Sequence, residues 1–367
     1  MNFDLNDEQA MLRDLVERFL ADHYDPVRRL AYVAQPDGFA SENWMTLAET
    51  GLLALPLSEE MGGLGGGAVE LITLMEALGR GVAVEPVLPV VMMGAAIIDR
   101  GGDDAMREAV LPAVVRGERF PVLAHMERSG RFMPGAIATR VSDVDGQARI
   151  NGEKICVLGG SFADLLLVSA LDDAGGGSVL LVEAGSAGVS RVHYRLVDGS
   201  VASDIRFDNA VGKPLQRGGA ALAVVLDQSR LAIAAELMGL MTRIFDATVD
   251  YVKTREQFGQ PIGRFQAIQH RLADCYALVE LSRSQLYRAA AQMPGTDAAH
   301  AAIVGAKAFI SSSATTVAEE AVQLHGGIGT TEELMVGQAF KRVLLLTRLL
   351  GDVDHDLRSY TQCRQAA

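Results

Sequence analysis

The hydrophobic period of this 367-residue chain changes twice, and few folds accommodate both changes. Up to about residue 115, apolar residues recur at helical spacing. Then come short β-branched runs such as "AIATRVSDVDGQARINGEKICVLGG" and "VSRVHYRLVDGSVASDIRFDNA", separated by Gly, Asp-Gly and Asn-Gly turns, which is the pattern of an antiparallel β-domain. From Gly218 onward the helical period returns, with Ile233, Leu237, Leu240, Met241 and Ile244 on one face and Ile268, Leu272, Cys275 and Val279 on the next element. No repeat is visible, and the strand-helix alternation of a doubly wound fold is absent. The expected class is therefore α+β, with an N-terminal helical domain at 1–117, a middle antiparallel β-domain at 118–215 and a C-terminal helical bundle at 216–367.

Within the first region, Asn6 with Gln9 three positions later makes a capping box ahead of Leu12, Leu15, Val16, Phe19 and Leu20. A second helix is expected over Ser41–Glu49, and "AVELITLMEALGRG" reads as another, stopped by Gly79 and Gly81. Between them, "GLGGGA" (63–68) formally satisfies a dinucleotide-binding glycine fingerprint. Its context argues otherwise. The preceding "LPLSEEMG" is broken by charges where a hydrophobic strand is needed, and no second strand ends in an acidic residue at the right distance.

Nearly half of the residues are hydrophobic, enough for a large core, and the net charge of −13 argues against a nucleic-acid or membrane-surface partner. An anionic ligand would have to be met by locally placed arginines and backbone amides. Cys156, Cys275 and Cys363 form no CxxC and no Cys/His cluster, so no metal site is expected and a reducing, cytoplasmic setting fits best. The acidic start lacks the basic and apolar stretches of an export signal. The longest apolar run, 87–98, is broken by Pro89 and too short for a membrane span.

Two stretches carry chemistry. In "TREQFGQPIGRFQAIQHRLAD" (254–274), the Arg255 guanidinium suits bidentate contact with a phosphate, Gln257 and Gln266 can bond a ring edge or an oxygen, and Phe258 offers an apolar face. Gly259 and Pro261 mark a turn between two helices, where a ligand can approach the backbone; an ordinary surface corner would read the same way. In "QLHGGIG" (323–329), successive glycines after a helix leave amides free to cradle an anion or an adenine beside Gln323, although Gly-Gly after a helix is also the usual C-cap.

Together these two stretches resemble the acyl-CoA dehydrogenase family, as do "GLLALPLSEEMGGLGGG" and the order of helical, β and helical regions, which in that family ends in a four-helix bundle. The resemblance implies an FAD shared between neighbouring subunits. One subunit offers a β-domain surface to the flavin ring, and the other holds pyrophosphate and adenine. On that reading Arg255, Phe258 and Gln266, with Gln323, Gly326 and Gly327, form the dinucleotide end, and Gln257 is a further candidate beside them.

The reactive end departs from the family. Where it usually has Trp-Ile-Thr or Trp-Ile-Ser, this chain has Cys156, Val157 and Leu158, and "HMERSG" (125–130) replaces Thr-Glu-Pro-Gly. The family's chemistry removes an α-proton with a carboxylate and passes a β-hydride to the flavin. At the two usual positions of the glutamate base stand Leu350 and Ser229. Asp227 lies about 200° around the helix from Ser229, and Glu332, Glu333 and Asp352 are the remaining carboxylates near the relevant loops. The catalytic base is therefore unassigned. "FKRVLLLTRLLGDVDHDLRSY" further resembles the small subunits of heteromeric acyl-CoA dehydrogenases acting on pimeloyl-CoA or steroid side-chain CoA esters. The implied role is an FAD-sharing subunit of a tetramer, with an acyl-CoA substrate and an electron-transfer flavoprotein as acceptor. The competing readings are a non-flavin structural or regulatory subunit and a self-sufficient homotetramer using a relocated carboxylate.

Overall fold

Local chemistry places the first elements of the computed structural model, which describes residues 5–130, 133 and 136–366. The Asn6 side chain accepts the Gln9 amide at 2.8 Å and the Gln9 side chain accepts the Asn6 amide at 3.0 Å, so the capping box opens α1 (Asp7–His23). Helices α2 (Pro26–Ala34), α3 (Ser41–Glu49) and α4 (Ala68–Gly81) follow. The apolar run at 87–98 is helical: a wide-turned segment (Val87–Ala95) leads into α5 (Ala96–Gly101), with Pro89 in the first turn, where a missing N–H costs nothing. Helix α6 (Asp104–Val115) precedes eight strands: β1 (Pro121–Ala124), β2 (Arg140–Val144), β3 (Gln147–Leu158), β4 (Leu165–Leu171), β5 (Gly177–Glu183), β6 (Val189–Arg195), β7 (Val201–Val211) and β8 (Lys213–Pro214). The chain then returns to helix in α7 (Gly218–Thr254), α8 (Gln266–Ala290), α9 (Asp297–His325), α10 (Met335–Leu346) and α11 (Val353–Ala366). Between α7 and α8 lies a two-stranded hairpin of β9 (Glu256–Gln257) and β10 (Gln260–Pro261).

Packing sorts these elements into two units. One comprises residues up to 32, 68–83 and 230 onward, and the other comprises 33–67 and 84–229. In the first, α1 packs on α4, while α9 lies among α8, α10 and α11. Helix α9 is long and apolar enough to cross a bilayer, but 67% of its most apolar window is buried in the protein, as in a core helix. Helices α4 and α7 cross at touching distance. A Cβ on Gly79 would strike the Glu236 carbonyl, and one on Gly239 would strike the Glu76 carbonyl. Gly79 is thus a crossing contact inside α4, which runs on to Gly81, rather than the stop signal that its residue type suggests.

The second unit is built on the sheet, ordered β6-β7-β3-β2-β4-β5-β8 with β1 added on β4. Its pairs are antiparallel except where β1 and β2 meet β4 in parallel, so the expected antiparallel domain is a mixed sheet. A cluster of Phe39, Trp44, Phe120 and Phe162 fills one part of its core, and the Trp44 indole donates to the Gly117 carbonyl at 3.0 Å. The glycines of 63–66 serve packing. The amides of Gly65 and Gly66 donate to the carbonyls of Leu57 and Leu55, both at 2.8 Å, and a Cβ on Gly63 would strike that same Leu57 carbonyl. The run is a strap over 54–57 with no strand-to-helix turn for a pyrophosphate.

Candidate functional site

At the end of α7 the Arg255 amide closes the last turn on the Tyr251 carbonyl at 2.8 Å, and the Arg255 carbonyl accepts the Ile262 amide at 2.8 Å. The six residues between are a β-hairpin instead of the simple helix-helix turn that Gly259 and Pro261 suggest. Its tip has two left-handed residues, Phe258 at φ +54° and Gly259 at φ +79°. That is type I′ turn geometry, for which Asn-Gly is the comfortable pair; a phenylalanine there is strained. Phe258 is also 93% exposed, touching Phe265 edge-on at 6.2 Å.

Arg255, Gln257 and Gln266 are exposed, and the Arg255 guanidinium has no partner among the described residues. The Gln257 amide folds back on the Glu256 carbonyl at 2.7 Å. Gln266 is the first residue of α8, whose cap residue Phe265 makes no side-chain capping bond. The positive end of a 25-residue helix therefore lies open beside the hairpin. Of the apolar stripe on α8, Cys275 and Val279 are buried while Ile268 and Leu272 are half-buried.

The second motif closes α9. Gly326, at φ +68°, donates its amide to the Val322 carbonyl, so it is the C-cap that Gly-Gly usually makes. Yet a Cβ on Gly326 or Gly327 would meet nothing within 4 Å, and Gln323 is exposed beside them. The rim is open backbone. Two contacts draw the motifs together: the Tyr251 ring stacks on His325 at 4.3 Å, and Arg271 of α8 pairs with Glu320 of α9. The ends of α7 and α9 and the start of α8 thereby gather Arg255, Gln266, Gln323, Gly326 and Gly327 at one end of the helices. An unpartnered guanidinium, an uncapped helix N-terminus, open glycine backbone and an exposed aromatic ring fit a diphosphate joined to a planar base. Residue reasoning passed over Tyr251 and His325, although His325 lies inside the glycine motif itself.

On the sheet, Cys156 sits at φ +51° where the β3–β7 register slips. Its amide is shared between the Tyr194 hydroxyl and Asp204 Oδ1, both at 3.1 Å, and the Tyr194 hydroxyl donates to Asp204 at 2.7 Å. An aromatic ring from β6 thus reaches across β7 to the bulge. Burial and the nearby carboxylates of Asp204 and Asp198 push the Cys156 thiol up, away from nucleophilic character. Val157 and Leu158 are buried. Within "HMERSG", Glu127 is buried and accepts bonds from Lys154 Nζ at 2.6 Å, Thr139 Oγ1 at 2.7 Å and the amides of Ala138 and Thr139 at 2.6 and 3.1 Å. Burial alone would raise its pKa, but these donors hold it below the usual carboxylate range. Burial brings Lys154 down to about 8 against the pull of Glu127.

Leu350 and Ser229, which the sequence resemblance sets against the family's base, are both buried. Leu350 is buried at φ +57°, and its carbonyl accepts Arg230 Nε at 3.2 Å. Next to it, Lys307 Nζ donates to the Gly351 carbonyl at 2.6 Å and to Asp356 at 2.8 Å. Ser229 is buried and its hydroxyl returns to the Val225 carbonyl at 2.7 Å, so it has no base to activate it. Of the other carboxylates, Glu332 pairs with Lys341, Asp352 accepts the His355 amide at 2.9 Å as the cap of α11, Glu333 is exposed and Asp227 is half-buried with partners of its own.

Residues 6–118 match the acyl-CoA dehydrogenase N-terminal domain family and residues 216–357 match the acyl-CoA dehydrogenase C-terminal domain family. A probable acyl-CoA dehydrogenase of Bacillus subtilis is 28% identical, covering 100% of this chain and 99% of its own. Among solved structures, a variant of the steroid ACAD Tcur3481-Tcur3483 superposes with a TM-score of 0.90 at 31% identity, covering 98% of both chains. The ChsE4-ChsE5 complex of Mycobacterium tuberculosis gives a TM-score of 0.93 at 27% identity over 100% of both.

Proposed function

The chain belongs to the acyl-CoA dehydrogenase family, whose cofactor is FAD, and from that membership we propose that it is the FAD-sharing subunit of a heteromeric acyl-CoA dehydrogenase. The observation that carries this reading is the contrast between its two ends. Both positions matched to the family's base hold buried groups that cannot take a proton at neutral pH, Leu350 and Ser229, while Arg255 and the glycine rim stand open. When bound, FAD supplies the hydride acceptor for 2,3-desaturation of an acyl-CoA. In this proposal Arg255 and the uncapped start of α8 neutralise the diphosphate, Gln266 and Gln323 bond the nucleotide's polar edges, and the amides near Gly326 and Gly327 approach it closely. Phe258 covers it from the hairpin tip. The α-proton is taken by a carboxylate of a larger partner subunit, and reducing equivalents pass to an electron-transfer flavoprotein.

The names of the solved relatives support this assignment: one is a complex of two differently named chains and another is a steroid ACAD. The test is to purify the chain alone and together with a co-expressed larger acyl-CoA dehydrogenase chain, and to read the flavin absorption and its bleaching by acyl-CoA. Flavin colour and bleaching in the complex only is the expected result. A yellow single chain bleached by acyl-CoA would refute partner dependence.

A further inference from the structure

We propose that Tyr251 and His325 are positioning residues that lock the Arg255 hairpin to the Gly326 loop, fixing the spacing of the two halves of the nucleotide site before the ligand arrives. The proposal rests on reading that end as the FAD tail site. Each half is thin by itself. Arg255 and Gln323 are exposed, and the hairpin and the loop lie some seventy residues apart in the chain, at the ends of different helices. Of the two contacts between the motifs, the ring pair is the one made by α7, the helix that carries Arg255. Tyr251 stands one turn before Arg255, and its carbonyl holds the Arg255 amide at 2.8 Å, so a shift of Tyr251 carries Arg255 with it. Its ring lies on the His325 imidazole at 4.3 Å with an interplanar angle of 23°. The Tyr251 hydroxyl faces the His325 carbonyl at 3.4 Å, a distance that makes the stack the larger contribution.

His325 is anchored in turn. Its Nδ1 lies 2.9 Å from the Ala321 carbonyl; a carbonyl only accepts, so Nδ1 carries the proton and the ring is pinned to its own helix. The chain then turns left-handed at Gly326 and folds back over His325. A Cβ on Gly329 would come within 2.9 Å of the His325 Cβ, so the loop is shaped on that residue. His325 is buried and Tyr251 half-buried, so neither offers a ring to the ligand; they set where the exposed groups stand. A ligand bound by two loops of fixed spacing does not have to order them, which raises affinity.

The experiment uses the full chain in the assembly that retains FAD, with Tyr251→Leu, Tyr251→Phe, His325→Leu and Arg255→Ala. Losing the stack should weaken FAD binding about fivefold. Tyr251→Phe, which keeps the stack, should stay within about twofold of wild type. In the flavin-free chain, amide hydrogen exchange across Gly326–Thr330 should speed up in Tyr251→Leu, a change far away in sequence, and stay as in wild type in Arg255→Ala. Wild-type affinity and exchange in Tyr251→Leu would overturn the coupling, as would equal losses in the Leu and Phe variants. Unchanged FAD affinity in Arg255→Ala would instead remove the site reading while leaving the exchange result to stand by itself.

Discussion

Replacing Lys307 by methionine should cost about 3–5 kcal/mol of stability. Lys307 and Asp356 are both fully buried and joined at 2.8 Å, and the same ammonium holds the Gly351 carbonyl at 2.6 Å. Burial pushes the Lys307 pKa down although Asp356 opposes it, so the pair is held by geometry and not by solvent. Asp356 Oδ1 already has no hydrogen-bond partner, and removing the cation strands the whole carboxylate. Removing one partner of a buried pair costs about 3–5 kcal/mol, because the remaining charge has neither water nor a counter-ion. Urea unfolding of the variant and wild type measures it. The double variant Lys307→Met/Asp356→Leu should recover most of the loss, because neither charge is then left unpaired. A single-variant cost under about 1 kcal/mol would refute the argument.

Phe258→Asn should leave the thermal midpoint of the isolated chain unchanged or raised, since asparagine tolerates the left-handed tip and a side chain 93% exposed loses little burial. FAD retention in the assembly should fall, and retention equal to wild type would show that the exposed ring does nothing. Gly239→Ala should lower the thermal midpoint by an equivalent of roughly 1–3 kcal/mol because the new Cβ meets the Glu76 carbonyl. The helix-propensity gain of about 1 kcal/mol has the opposite sign, so a raised midpoint would disprove the close crossing. Glu127, held below its ordinary value of 4.5, contributes stability that is fully present above that pH and is lost as pH falls through its folded value. Glu127→Gln should therefore flatten the acid side of the stability profile, measured by thermal unfolding between about pH 5 and pH 3; an unchanged slope would mean that the pair with Lys154 carries no such linkage.

What could be read from the sequence was whatever a few neighbouring residues decide. The Asn6–Gln9 box, the bounds of α3 and the extent of α4 follow from capping and periodicity within one or two turns. The tertiary reasons for a residue could not be read that way. Gly79 looks like a stop because its true partner is a backbone atom of α7, some 150 residues on. Glu127 looks like a lost motif because Lys154, which explains it, stands on β3, 27 residues further along the chain. Tyr194 fills out the Cys156 bulge from β6. The candidate nucleotide residues were legible one by one, whereas the ring pair joining their loops was not, since no local pattern links position 251 to position 325.

Backbone strain adds a further step. Six non-glycine residues among those described have positive φ, and three of them, Cys156, Phe258 and Leu350, lie in or beside the stretches that carry the sequence resemblance. Such conformations cost of order 1–3 kcal/mol each and persist where the surroundings over-determine them. The surroundings here can be named: Tyr194 and Asp204 at Cys156, the β9–β10 pairing at Phe258, and Arg230 with Lys307 around Leu350.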